Sequence, residues 1–264
     1  MPEAQRISTV PHLPELPAGA LLKADPAPDS LFYAEPRLVA HLDDAAIAAV
    51  TGLYREVLPA GGAILDLMSS WISHLPAEVA FSTVIGHGMN ARELAANPRL
   101  SRWFVQDLNA DPVLPLAADS LDAVTLCASV QYLQRPVEVL REVARVLRPG
   151  APVVITFSNR CFPTKAVRIW QGLQGREHCA LVALYLERAG FAGVEARELL
   201  SGRRSDPLWA VLGAAPGQDR SAPAGDGRGS EAGGAAGPKG GVGAAAPPSR
   251  PQRRRRAGCR AFPP

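Results

Sequence analysis

Side chains that could bind a polar ligand or carry a proton gather in one short segment, ILDLMSSWISHLP, residues 64–76. Its first residues form an apolar run that predicts a buried strand, and the run ends in the carboxylate of Asp66. The hydroxyls of Ser69 and Ser70 and the imidazole of His74 follow within eight residues. A nucleotide-binding turn after such a strand would carry glycines, and this turn has none. The rest of the chain must therefore indicate what the turn holds.

Four further apolar runs predict the strands that accompany this segment. FSTVIG, RWFVQD, LDAVTLCASV and APVVITF all lack the polar alternation of a half-exposed strand, so we expect each to be covered on both faces. GVEARELL and PLWAVLG predict two final strands joined without a helix.

Helical patterns separate several of these runs. DDAAIAAVTGLYREVLP precedes the first strand, PVEVLREVARVLRPG has Pro136 in its first turn and Gly150 past its end, and REHCALVALYLERAG ends at Gly190. A short helix is expected around 164–172. The predicted fold class is α/β, a doubly wound, mostly parallel, seven-stranded Rossmann-like sheet with an antiparallel edge strand and helices on both faces. Ligands of such sheets bind at the carboxyl ends of the strands, here the loops after positions 67, 88, 107, 129 and 158.

A long stretch of the second half carries a family resemblance. VQDLNADPVLPLAADSLDAVTLCASVQYLQRPVEVLREVARVLRPGAPVVITFSN, residues 105–159, followed by LYLERAGFAGVEARELL, closely resembles class I S-adenosylmethionine-dependent methyltransferases. The ordered set of motifs covers roughly residues 55 to 214 and is specific because each motif lies on the expected element. The resemblance implies S-adenosylmethionine as cofactor, a small-molecule methyl acceptor as partner, and no metal.

The first half departs from the family at two landmarks. The three glycines of the family's first turn fall on Met68, Ser70 and Ile72, and the acidic residue that ends its second strand aligns with Gly88. Glycine is used in that turn because close backbone approach leaves no room for a Cβ. The residues that the resemblance places around the cofactor are Asp66, Ser69, Ser70, Asn90, Asp107, Leu108 and Ser129.

Candidate residues for the acceptor side are less specific. Methyl transfer from a sulfonium requires positioning of the nucleophile and, where that nucleophile carries a proton, a base. His74 is the candidate base and Tyr132 a second catalytic candidate. As an alternative, WISHLP forms the first turns of a helix and Tyr132 closes the core. The residues expected to face the acceptor are Tyr33, Arg37, His41, Gln131 and Asn159.

Two functions follow from this mixture of matches and departures. In the first, a rebuilt turn binds S-adenosylmethionine, and the protein methylates a small molecule. In the second, the fold persists without the cofactor, and the protein is a catalytically inactive binding or scaffold module.

Composition divides the chain into three parts. We expect an extended N-terminal arm at 1–30, one domain at 31–214 with the sheet core from about 62, and a disordered tail rich in Gly, Ala, Pro and Arg at 215–264. The tail holds nine of the 28 Lys and Arg and three of the 25 Asp and Glu, which leaves 19 basic against 22 acidic residues in the body. A nucleic-acid partner is therefore expected only through the basic tail, if at all.

The remaining features concern compartment. Cysteines 127, 161, 179 and 259 form no CxxC pair, so we expect neither a metal site nor a disulfide framework, and three of them are predicted to be reduced core thiols. No apolar run is long enough to cross a bilayer. An intracellular, by default cytoplasmic, location is expected, and organelle import stays open.

Overall fold

The computed structural model describes residues 13–217 and 260–261. Seven strands form one sheet in the order β3-β2-β1-β4-β5-β8-β7. The strands are β1 (Ala63–Asp66), β2 (Thr83–Gly88), β3 (Arg102–Val105), β4 (Ala123–Cys127), β5 (Pro152–Ser158), β7 (Ala192–Leu200) and β8 (Leu208–Ala214). β8 runs antiparallel to both of its neighbours, one position in from the edge, and the other paired strands are parallel. The predicted fold class is confirmed.

Helices cover both faces of the sheet. They are α1 (Asp29–Phe32), α2 (Asp44–Val57), α3 (Ala91–Ala96), α4 (Pro136–Val146), α5 (Arg168–Gly172) and α6 (Arg176–Ala189), with a 3-10 turn at Val130–Tyr132. Alternate residues of β1 point to opposite sides: Ile64 packs in the cluster that contains α2, and Leu65 in the cluster that contains α4 and α6.

Strand β3 corrects one expectation. RWFVQD was expected to be covered on both faces, but β3 is the edge strand of the sheet, and Trp103 and Val105 are 40% and 48% exposed. An apolar run therefore indicated a strand here without indicating burial, because an edge strand is covered less than the strands inside the sheet.

The connection from β1 to β2 corrects a second expectation. Residues 67–82 contain turns and bends but no helix, so the helical alternative for WISHLP is wrong. The short helix α3, which the sequence patterns did not predict, follows β2 instead. Asn90 caps it, and its side-chain Oδ1 accepts hydrogen bonds from the backbone N–H groups of Arg92 and Glu93 at 2.9 and 3.2 Å.

Parts of both ends of the chain are described by the structure. Residues 13–30 pack onto the domain, with Leu21 in the core and Lys23 paired with Val167 in an antiparallel bridge. Most of the 215–264 tail lies outside the described residues. Its short strand β9 (Arg260–Ala261) pairs with β6 (Arg160–Cys161). Cys161 is disulfide-bonded, which corrects the expectation of a reduced thiol there, whereas Cys127 and Cys179 are free.

Candidate functional site

A cavity lies at the carboxyl ends of β1, β2, β3 and β4, where neighbouring connections leave the sheet in opposite directions. It encloses about 1160 Å³ of atom-free space, part of it open to solvent. Ligands of doubly wound sheets bind at this position. Of the fourteen residues proposed from sequence, all but Gln131 and Asn159 line it.

The turn after β1 is held by hydrogen bonds to Asp66. Ser69 Oγ donates to Asp66 Oδ2 at 2.5 Å, and Thr125 Oγ1 donates to Oδ1 at 3.1 Å. Ser73 also donates to this carboxylate. Burial raises the pKa of Asp66 to about 6, against the opposite effect of these hydroxyls. Each oxygen keeps acceptor capacity, so Asp66 still presents negative charge to the cavity.

Met68 stands in a conformation typical of glycine. Its φ is +57°, in the left-handed region, at the position of the first family glycine. The Met68 N–H donates to His87 Nδ1 at 3.1 Å, and the Ser69 N–H donates to the His87 carbonyl at 2.6 Å. The turn thus keeps a glycine-like backbone although its side chain is large.

His87 holds this turn from β2. Its Nδ1 accepts from Met68 and its Nε2 lies 3.0 Å from the Gln106 carbonyl, which fixes the neutral tautomer with the proton on Nε2. Burial lowers the pKa of His87 to about 4. No sequence pattern singled out this residue.

Gly88 explains why no acid ends β2. A Cβ at Gly88 would lie 2.5 Å from the Ser69 carbonyl oxygen, so any side chain here would collide with the backbone of the β1 turn. The carboxylate on this side of the cavity comes from the first turn of α3. Glu93 is 8% exposed; its Oε2 accepts from Ser70 Oγ at 2.6 Å and its Oε1 from the Arg37 N–H at 2.7 Å.

Asn90 serves a structural purpose as well as lining the cavity. Besides capping α3, its Nδ2 donates to the Tyr33 and Ala34 carbonyls at 2.9 and 3.0 Å. Its side chain therefore ties the segment after α1 to the end of β2, and a ligand would compete with these bonds.

The turn after β3 leaves more of its polar capacity for a ligand. Asp107 Oδ1 accepts from the Asn109 N–H at 2.9 Å, which closes a tight turn, and Leu108 is buried beside it. Across the cavity, Ser129 follows β4; its Oγ is buried and has no hydrogen-bond partner. A buried hydroxyl without a partner is costly, and a ligand in the cavity that bonds to Ser129 Oγ would remove that cost.

Two histidines, His41 and His74, also line the cavity. His74 has φ +52° and a buried Nδ1 without a hydrogen-bond partner, and burial lowers its pKa to about 4. Burial also lowers the pKa of His41, with the Arg37 charge acting in the same direction. Both imidazoles are therefore neutral near pH 7, and His74 has a nitrogen available to accept a proton.

Aromatic rings surround Arg37. The guanidinium carbon lies 4.4 Å from the Phe32 ring centroid, 5.4 Å from that of Phe162 and 6.0 Å from that of Tyr33. Tyr132 is almost fully buried; its hydroxyl accepts from the Phe162 N–H at 2.9 Å, and burial raises its pKa.

The two proposed residues that do not line the cavity, Gln131 and Asn159, make hydrogen bonds to or from the backbone. Gln131 is fully buried and its Nε2 donates to the Ala128 carbonyl at 2.9 Å. The Asn159 carbonyl accepts from the Arg260 N–H at 2.7 Å.

A buried ion cluster beneath the cavity was not anticipated from sequence. Lys165 is fully buried; its Nζ donates to the Ala27 carbonyl at 2.7 Å and lies 3.0 Å from Asp25 and 3.3 Å from Asp29. Lys23 pairs with Asp29, which lines the cavity. Burial lowers the pKa of Lys23 against the effect of Asp29. The cluster fastens the segment from Lys23 to Asp29 beside the site, and its partners are far apart in sequence.

The described residues contain neither a metal-binding cluster nor a membrane-spanning helix. In 13–217 and 260–261, no group of three or more His, Cys, Asp or Glu could hold a metal ion. Within the same ranges, no helix is long and apolar enough to cross a membrane.

Comparisons with known proteins agree with this geometry. Residues 70–155, about a third of the chain, match the family model described as a methyltransferase domain. No curated protein matches the chain. A putative methyltransferase of Haloferax volcanii, solved with the Trm112 methyltransferase activator, is similar at 15% identity with a TM-score of 0.51, over 66% of this chain and 91% of that one.

Two further solved structures are similar over most of their length. A methyltransferase of Aquifex aeolicus shares 16% identity, covering 71% of this chain and 97% of that one, with a TM-score of 0.47. One from Mesorhizobium loti shares 18%, covering 63% and 97%, with a TM-score of 0.45. The chain has the class I S-adenosylmethionine-dependent methyltransferase fold, and the family match supports S-adenosylmethionine as its cofactor.

Proposed function

We propose that the protein transfers a methyl group from S-adenosylmethionine to a small molecule bound between the cofactor and the segment that contains Tyr33, Arg37 and His41. The observation that carries this proposal is the cavity itself: Asp107, Leu108, the β1 turn, Ser129 and the two histidines all line one cavity. This is the position that a nucleoside with an amino-acid tail would occupy at the edge of such a sheet.

The residues present fit the cofactor, with one replacement. Asp107 offers its carboxylate to the adenine amino group, Leu108 an apolar surface to the ring, and the partnerless Ser129 hydroxyl a polar contact. Glu93 supplies a carboxylate on the side where Gly88 has none. Asp66, Ser69, Ser70 and Asn90 line the same cavity, but each already makes a hydrogen bond within the protein.

The protein's part in the reaction is to position the acceptor and to take up its proton. When bound, the cofactor supplies an electrophilic methyl group on a sulfonium. His74 is the candidate base, because it is neutral near pH 7 and its buried Nδ1 has no partner. Tyr132 acts by positioning, since its hydroxyl accepts from the Phe162 backbone and holds that ring against the cavity.

The alternative is a binding or scaffold module that has lost the cofactor. The observation in its favour is that the β1 turn directs its hydroxyls inward: Ser69 to Asp66 and Ser70 to Glu93. In that case the cavity accommodates a different ligand.

Calorimetric titration of the full chain with S-adenosylmethionine and S-adenosylhomocysteine separates these functions. We expect dissociation constants of about 1–100 μM, and a loss of about tenfold or more in Asp107→Ala, because a hydrogen bond to a carboxylate is removed. Asp111→Ala is the matched control, since Asp111 is an exposed carboxylate four residues on that does not line the cavity. No heat of binding at millimolar ligand would leave only the binding module.

A further inference from the structure

Arg37 is a cation without a counter-charge at the acceptor end of the cavity, by which we mean the part lined by Tyr33, Arg37, His41, His74, Tyr132 and Phe162. Its Nη2 donates to the Phe32 carbonyl at 3.0 Å, and its Nη1 is buried with no hydrogen-bond partner. Within 13–217 and 260–261, no carboxylate lies within ion-pair distance of the guanidinium.

The carboxylates nearest to this end are already bound to other donors. Glu93 accepts from the Arg37 backbone N–H and from Ser70, so it does not meet the guanidinium. Asp29 accepts from Lys23 and from Asn109 Nδ2, and Lys165 lies 3.3 Å from it. The positive charge of Arg37 is thus left for something that enters the cavity.

The guanidinium is also held in place before any ligand binds. The guanidinium carbon lies over the rings of Phe32 and Phe162, and the Phe32 carbonyl accepts from one of its donors. A buried donor without a partner is unfavourable, and an anion that accepts from Nη1 removes that cost. Its planar fork matches the oxygen pair of a carboxylate or phosphate.

The neighbouring groups add no competing charge. Burial lowers the pKa values of His41 and His74, because it disfavours their charged forms. The Arg37 charge lowers the pKa of His41 further, and His41 lowers that of His74. The remaining wall is aromatic, from Phe162, Tyr132 and Tyr33. This end therefore combines one fixed cation with an apolar surround.

We propose that Arg37 binds the anionic group of the methyl acceptor, so that the acceptor is an organic anion, a carboxylate or phosphate ester, with an apolar or aromatic body. That the anion belongs to a methyl acceptor rests on the proposed function. That Arg37 binds an anion does not depend on it. The body packs against Phe162 and Tyr132, and the anion orients it so that its nucleophilic atom meets the cofactor.

Three aromatic probes test the charge requirement on the full chain: benzoate, phenyl phosphate and the neutral benzamide. We expect benzoate or phenyl phosphate to bind at least tenfold more tightly than benzamide, and this preference to fall about tenfold in Arg37→Gln and to be partly restored in Arg37→Lys. Arg92→Gln is the matched control, an exposed arginine on the adjacent helix α3. Thermal melting checks that each variant is folded. Equal binding of all three probes, no binding of any, or an unchanged preference in folded Arg37→Gln overturns the proposal.

A second titration identifies the source of the anion. S-adenosylhomocysteine carries a carboxylate and methylthioadenosine does not. If Arg37→Gln weakens S-adenosylhomocysteine tenfold and leaves methylthioadenosine unchanged, Arg37 binds the cofactor's carboxylate and the acceptor proposal is overturned. If neither nucleoside binds the wild type while benzoate still depends on Arg37, the proposed methyl transfer fails and the anion site stands.

Discussion

The turns after β1 and β3 lie at the same edge of one sheet and border the same cavity, but they use their polar groups differently. In the β1 turn, Asp66, Ser69 and Ser70 bind one another or Glu93. In the β3 turn, Asp107 makes one bond to the Asn109 backbone.

The two turns differ in which groups hold their backbone in shape. A glycine-rich turn needs little side-chain support, because its backbone reaches unusual φ values without strain. The β1 turn has Met68 at φ +57° and must be held by other groups. The imidazole and the carbonyl of His87 accept from two backbone N–H groups of the turn, and hydroxyls donate to Asp66. In the β1 turn the polar side chains support the backbone, whereas in the β3 turn the Asp107 carboxylate keeps acceptor capacity for a ligand.

The contact between Gly88 and Ser69 gives the largest expected effect. Gly88→Ala places a Cβ 2.5 Å from a backbone carbonyl, and that backbone is fixed by His87. We expect a loss of about 2–3 kcal/mol in the free energy of unfolding, the upper part of the range for overpacking, because no rotamer change relieves a clash with a backbone atom. Urea unfolding of the full chain measures it.

Gly52→Ala is the control for adding a methyl group. Gly52 lies in α2 with nothing within 4 Å of its Cβ position, so alanine should stabilise the helix by about 0.5–1 kcal/mol. If Gly88→Ala is as stable as wild type, the β1 turn does not rest on β2, and the contrast between the two turns fails.

Protonation of His87 should release the β1 turn. Its folded pKa is about 4 and its unfolded pKa about 6.5, so between these values the unfolded state binds more protons and stability falls as the pH falls. From pH 7.5 to pH 5 this amounts to about 2 kcal/mol. Asp66 acts oppositely: its pKa is raised in the folded state, so its contribution to stability grows as pH falls.

Variants separate the two contributions. His87→Asn should be less stable at pH 7.5 but should lose less stability on going to pH 5 than wild type does. Asp66→Asn should lose more over the same range, because the opposing contribution is gone. Parallel curves for all three proteins would contradict the role of His87.

The sequence predicted the fold because the patterns that encode it are local. Apolar runs, Pro136 and Gly150 each mark an element from within a few residues. Burial of β3 was misjudged because edge position depends on strand order, which hydropathy does not report.

Residues that directly follow a strand were the simplest to place beside the cavity from sequence. Asp66, Asp107 and Ser129 could be placed on the cavity from their positions at strand ends. Glu93, by contrast, belongs to a short helix that no pattern announced, and His87 lies inside a strand where it resembles a core residue. Lys165 meets Asp25 and Asp29 across about 140 residues of chain, a pairing that depends on tertiary structure alone.

Met68→Gly gives the smallest effect on stability and the most direct test of the β1 turn as a cofactor site. Glycine removes about 1 kcal/mol of strain from the left-handed conformation at position 68, but costs a similar amount in chain entropy and lost packing. The free energy of unfolding should therefore change by less than about 1 kcal/mol. Because the Met68 side chain lines the cavity, its removal should tighten S-adenosylhomocysteine several-fold in calorimetry. Met89→Gly removes the same side chain from the cavity wall where φ is not positive, so it should lose stability without that compensation. Weaker binding in Met68→Gly would mean that the thioether side chain contacts the ligand, and that the β1 turn is a binding surface rather than a substitute for a glycine turn.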